Sequence, residues 1–194
     1  YWENDILLVD KYDVIVDVWN WLKQCNEHDI LSLPKLKHGE SIRQHDYLSE
    51  IEQHFLGFLI CAGSTGGRKN VGSMKGINVE NDLKRIAANI YKIKHWNIYC
   101  ADYKIIYNQN ATWFIDPPYQ FGGHEYKHSN KNINFSELSD WCKTRQGQVI
   151  VCENTKADWM DFKPMRKMQG TAFKTTEAIW SNHRTDFDDV QMEL

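Results

Sequence analysis

The sequence predicts an α/β chain built on a doubly wound, mostly parallel sheet. Three observations carry this. Apolar strand-like runs alternate with stretches of helical period. Three of those runs end in an acid, Asp10, Asp102 and Asp116. The chain of 194 residues is 42% hydrophobic and 25% charged, which suits one globular domain, or one domain with a large insertion, and argues against disorder.

Asp5–Val9 reads as a buried parallel strand delivering Asp10 at its carboxyl end. From Tyr12 to about Cys25, Val14, Ile15, Val18, Trp19 and Leu22 recur at a helical period. Leu33 to Gly39 is a loop, and Tyr47 to about Cys61 is a second helix. Gly63 to Gly76 holds five glycines and the cations Arg68, Lys69 and Lys75, and reads as a flexible loop. Val79 to about Lys94 is a third helix, with Leu83, Ile86, Ala87 and Ile90 inward and Lys84, Arg85, Lys92 and Lys94 on an exposed face.

Asn97–Ala101 and Thr112–Ile115 are short strands ending at Asp102 and Asp116. Asn134 caps a helix with Glu137 three positions on, and Ile133 can staple to Leu138. Gln148–Cys152 is a further strand ending at Glu153 and Asn154, and Ala172–Ser181 alternates as an antiparallel edge strand.

The net charge is -3, yet Asp186, Asp188, Asp189 and Glu193 lie together near one end, and the remainder carries +1. A nucleic-acid site would therefore be a local patch. No apolar run approaches the roughly 20 residues of a membrane span. The five cysteines, Cys25, Cys61, Cys100, Cys142 and Cys152, form no CxxC pair and read as buried free thiols of a reducing cytoplasm. His124 and His128 are four apart but lie in a loop, so no metal site is expected. Tyr1-Trp2-Glu3 runs almost directly into a strand, which reads as a chain whose natural beginning lies upstream.

The residues with the sharpest chemistry are Thr112-Trp-Phe-Ile-Asp-Pro-Pro-Tyr119. A strand delivers Asp116, and two prolines stiffen the turn that follows. Stiffness aims the Asp116 carboxylate and the Pro117 carbonyl at one point. Two converging acceptors suit an exocyclic amine with two N–H bonds. Tyr119 adds a flat face on which a heterocycle can stack. In an open α/β sheet, ligands bind at such carboxyl ends. A single strand-end acid such as Asp10 is otherwise often just a helix cap, but three in one sheet favour a shared crevice.

Asp116-Pro-Pro-Tyr119 after an apolar strand resembles the catalytic motif of amino-methyltransferases, and of Dam-like N6-adenine DNA methyltransferases in particular. Ile6–Ile15 resembles the family's second motif, with Asp10 at its acid, and Ile98–Tyr103 resembles its third, beside the cofactor adenine. Gly57–Gly76 resembles the glycine-rich DNA-contacting hairpin of the recognition region. Gln148–Asn154 and Lys174–Trp180 resemble later core strands. The family's opening Gly-Gly-Lys segment and its first strand with a Phe-x-Gly-x-Gly loop have no counterpart here.

The resemblance implies a Rossmann-like S-adenosylmethionine-dependent methyltransferase sheet with an inserted, mainly helical target-recognition region. Residues 1–26 and 97–194 would form the core, lacking its first strand, and 27–96 the insertion. Asp116, Pro117, Pro118 and Tyr119 would be catalytic. Asp10, Lys11, Asp102, Tyr103 and Asp116 would hold S-adenosylmethionine. Arg68, Lys69, Asn70, Lys75, Tyr126, Lys127 and Asn130 would touch double-stranded DNA. The target adenine would be flipped into the pocket and methylated at N6 by direct displacement. The enzyme would act in the cytoplasm of a bacterial or phage-infected cell, as in restriction-modification, as a monomer or weak dimer, with a second chain as one way of completing the cofactor pocket.

Two alternatives stand beside this. The missing glycine loop fits a non-catalytic nucleic-acid-binding subunit of a methyltransferase complex. The motif's geometry also fits an RNA or cytosine amino-methyltransferase. The loop from Phe121 to Tyr126 can close over a base or be a solvated connector.

Overall fold

A computed structural model describes residues 3–60, 78–123, 126–169 and 174–183. It is a mixed α/β chain of two compact units, dividing between Ile105 and Ile106. Among the described residues it holds two sheets and five α-helices. The strands expected in one sheet therefore lie in two.

In the first unit, β1 (Leu7–Asp10) pairs in parallel with β2 (Asn97–Cys100), Asp10 opposite Cys100. β1 is parallel as expected but not buried, since Leu7 is exposed. α1 (Asp13–Gln24) buries Val16, Val18 and Leu22, and leaves Val14, Ile15 and Trp19 only partly covered. Lys94 serves the carbonyls where it ends, its Nζ donating to Lys23 O at 2.7 Å and to Cys25 O, while Lys23 reaches away to donate to Trp96 O.

α2 (Glu27–Leu31) is absent from the sequence reading. A capping box between Asn26 and Asp29 starts it, and five residues are too few to show a period. α3 (Glu50–Ile60) begins later than expected, because Ser49 caps it: the Glu52 side chain in its first turn accepts from Ser49 N and Oγ, and Glu52 N donates to Ser49 Oγ. The third expected helix divides in two. α4 (Val79–Ala87) is capped by Asn78, and a 3-10 turn over Ile90–Ile93 follows the break at Asn89. Leu22, Ile30, Leu56, Ile60 and Leu83 share one core with Val79 and Ile90. Each such side chain contributes about 1.5–3 kcal/mol on burial.

In the second unit the strand order is β3-β4-β6-β5. β3 (Ala111–Ile115) and β4 (Gly147–Asn154) are parallel, Ile115 opposite Val151. β3 is half-exposed rather than buried, with Phe114 68% exposed. α5 (Phe135–Lys143) starts at Asn134, whose side chain accepts from Glu137 N as expected. α5 packs on β4, and Val149, Val151, Leu138 and Cys142 are buried.

β6 (Lys174–Ser181) is antiparallel, as expected, but it is not an edge. It lies between β4 and β5 (Lys163–Gln169), a strand the sequence reading did not find. Pro164 and a register shift beside it disguise β5 in the sequence. The free cysteines also differ in part: Cys25 and Cys142 are buried, Cys152 is half-buried, and Cys100 is exposed.

Candidate functional site

The second unit carries the densest constellation, at the carboxyl end of β3 and β4. Ile115 ends β3 and Asp116 follows it directly, a residue open to solvent on one side while its carboxylate is packed beside Tyr119 and Glu177. Pro117, Pro118 and Tyr119 are half-buried behind it. The next turn folds back, with Gly123 N donating to Tyr119 O at 3.0 Å. Gly123 makes that closure possible, because a Cβ there would meet the Pro118 carbonyl carbon at 2.7 Å.

Glu153, fully buried at the end of β4, clamps this turn. Its carboxylate accepts from Gln120 N at 2.5 Å, Asn154 N at 2.8 Å and Trp159 Nε1 at 3.2 Å. A buried carboxyl group is tolerable only when it is hydrogen-bonded in this way. Asn154 Nδ2 donates to Phe121 O at 2.8 Å, and Asn130 Nδ2 donates to Gln120 O at 2.7 Å. Gln120 and Asp158 exchange two further bonds. The start of the loop after Tyr119 is thus tied down, and Asn130, expected at DNA, braces it.

Three acids and a phenol gather here. Tyr119 OH donates to Glu177 Oε2 on β6 at 2.7 Å. Desolvation first and the Glu177 charge second hold the Asp116 pKa above the ordinary range for aspartate. Desolvation and the Glu177 bond likewise push the Tyr119 phenol upward. Desolvation, with Asp116 and Glu177 beside it, pushes the Cys152 thiol up to about 12, so it stays protonated.

The first unit holds the residues expected at the cofactor. Asp10 is half-buried, and its Oδ1 accepts from Tyr12 N at 2.7 Å. It is not the cap of α1, since the capping position is Tyr12. Lys11 Nζ meets Asp102 Oδ2 at 2.8 Å, and Lys104 N donates to Asp102 Oδ1 at 3.1 Å. The Lys11 bond above all holds the Asp102 pKa below the ordinary range. Tyr103 opens a 3-10 turn directly after Asp102. The structure so brings Asp10, Lys11, Asp102 and Tyr103 to one end of the β1–β2 pair. The same unit has an apolar cavity of about 370 Å³ between α1, α3 and α4, lined by Ile15, Val18, Trp19, Leu22, Phe55 and Ile90.

Arg68, Lys69, Asn70 and Lys75 lie outside the described residues. Lys84 pairs with Glu80 at 2.8 Å and Arg85 with Asp82 at 3.0 Å, as on a solvated helix face. Tyr126 is 47% exposed and Lys127 is exposed. Among the described residues, no group of three or more His, Cys, Asp or Glu side chains could hold a metal, and no helix is long and apolar enough to cross a membrane.

Glu177 and the clamping role of Glu153 escaped the sequence reading. The available signal was a lone acid inside Thr-Thr-Glu-Ala-Ile-Trp, and a fourth strand ending in an acid. The chain matches no protein-family model and no curated protein.

Proposed function

We propose that the chain is an S-adenosylmethionine-dependent amino-methyltransferase acting on adenine N6 in double-stranded DNA. One observation carries the reading. A stiff Asp116-Pro-Pro-Tyr119 turn stands at the carboxyl end of a parallel strand, with its acid exposed and its backbone clamped by buried Glu153. Rigid support of an exposed acceptor is what recognition of an incoming amine requires.

The chemistry asked of these residues is positional. The Asp116 carboxylate and the Pro117 carbonyl accept the two N6 hydrogens and orient the nitrogen lone pair. S-adenosylmethionine supplies the methyl group when bound. The Tyr119 ring stacks on the flipped base, a contact of about 1–3 kcal/mol. On this reading Asp10, Lys11, Asp102 and Tyr103, at one end of the β1–β2 pair, are the first-unit residues that would hold the cofactor. Parallel pairing in both sheets and the antiparallel β6 between β4 and β5 are compatible with this reading. The reading also requires a glycine-rich loop for the methionine end of the cofactor.

The test is transfer of a labelled methyl group from S-adenosylmethionine to adenine in duplex DNA by the full-length protein. Asp116→Ala is expected to lower turnover by about 10²–10³-fold, the loss typical of one preorganised polar group, with cofactor affinity changed far less. A wild-type protein that binds cofactor and DNA yet transfers nothing would refute the reading.

A further inference from the structure

We propose that Glu177 is a positioning residue for amine recognition: it takes the single phenol proton of Tyr119 and so leaves Asp116 open to the substrate. The inference rests on the amino-methyltransferase reading and deepens it by assigning a role to a residue on β6.

Tyr119 follows Asp116 by three residues, across two prolines. Its hydroxyl interacts with both carboxylates, and its hydrogen bond runs to Glu177 Oε2 at 2.7 Å. A phenol has one proton and donates to one acceptor at a time. Were that proton given to Asp116, it would occupy a lone pair and draw charge from the carboxylate the amine must reach. The other neighbours cannot take Glu177's place. Cys152 is a protonated thiol and a weak acceptor. Glu153 is already committed to Gln120 N, Asn154 N and Trp159 Nε1. Glu177 itself is fixed by the sheet, opposite Asn154 in the β4–β6 register, beside the clamp that holds the turn.

The experiment uses the full-length protein as wild type, Glu177→Gln, Glu177→Ala, Tyr119→Phe, and Glu177→Ala combined with Tyr119→Phe. Two quantities are read: methyl transfer to duplex DNA, and the Asp116 titration midpoint by carboxyl carbon NMR, assigned with Asp116→Asn. Glu177→Ala is expected to lower kcat roughly tenfold with a smaller change in KM, the scale of one charge-assisted hydrogen bond. Glu177→Gln, isosteric but a weaker acceptor, falls between. Adding Tyr119→Phe to Glu177→Ala should recover several-fold of the lost rate, because no phenol then competes for Asp116. In the same pair, Tyr119→Phe should raise the Asp116 midpoint by about one unit, and by clearly less in the wild-type background, where Glu177 holds the phenol proton.

No recovery by Tyr119→Phe, together with equal midpoint shifts in both backgrounds, would overturn the proposal and leave Glu177 a packing residue. If wild type transfers no methyl group, the methyltransferase reading fails. The midpoint comparison then still decides which carboxylate takes the phenol proton.

Discussion

Asp102 and Asp116 occupy the same kind of place, just past a parallel strand, and their protons behave oppositely. Lys11 stabilises the Asp102 carboxylate, so its folded pKa is lowered. That stability is present above the ordinary aspartate pKa of about 3.9 and is lost as pH falls through the lowered value. Asp116 is raised by desolvation and by Glu177. A raised acid favours the folded state at low pH and disfavours it once pH climbs through the raised value. Asp102→Asn is therefore expected to lower stability near neutral pH, by no more than about 1 kcal/mol because Lys11 is 58% exposed. Asp116→Asn is expected to raise stability there. Urea unfolding at pH 7 and near pH 3 checks both signs, and both differences should shrink in acid. An Asp116→Asn protein less stable than wild type at pH 7 would mean that the acid is structural. The same shift predicts that methyl transfer falls as pH drops through the raised Asp116 value.

Elements form here where local chemistry is explicit. α5 was legible because Asn134 caps it and its apolar positions repeat, and β4 because it is a continuous apolar run. β5 and α2 were not, since one carries a proline and a register shift and the other is a single capped turn. The candidate turn was legible for a different reason: its residue types are dictated by geometry. Its supports were not, because Glu153, Asn154 and Glu177 reach it through sheet pairing that sequence spacing does not reveal. The entry to β4 shows how strictly that pairing is specified. Gly147 sits at φ +94°, and a Cβ there would meet Ala111 O at 2.2 Å. Gly147→Ala should cost about 1–3 kcal/mol from backbone strain alone, with the clash against β3 added, read as a lowered urea midpoint. Gly123→Ala should act differently. It pushes on Pro118 within the turn, so transfer should fall more than stability does. A variant equally impaired in both would show that the turn only holds the unit together.

The described residues form two compact units, each with acids at the carboxyl end of parallel strands. The sequence led to an expectation of one sheet, because alternation of strand and helix is local, whereas strand order is settled by pairings far apart in the chain. Parallel strands are normally covered, yet Leu7 on β1 and Phe114 on β3 are exposed, and neither strand has a second partner among the described residues. The proposed activity makes a distributed demand on this architecture. On that reading S-adenosylmethionine would be held by Asp10, Lys11, Asp102 and Tyr103 of the first unit, while a flipped base would engage Asp116 and Tyr119 of the second. Hydrogen exchange resolves these demands. Cofactor should slow exchange several-fold across 7–12 and 97–104, where a ligand suppresses local opening. Duplex DNA added afterwards should slow the Asp116 and Tyr119 amides and the 120–123 turn. Asp116→Asn should keep the first response and weaken the second. Cofactor protection confined to the second unit would remove Asp10 and Asp102 from the site, and with them the part of the proposal that rests on the first unit.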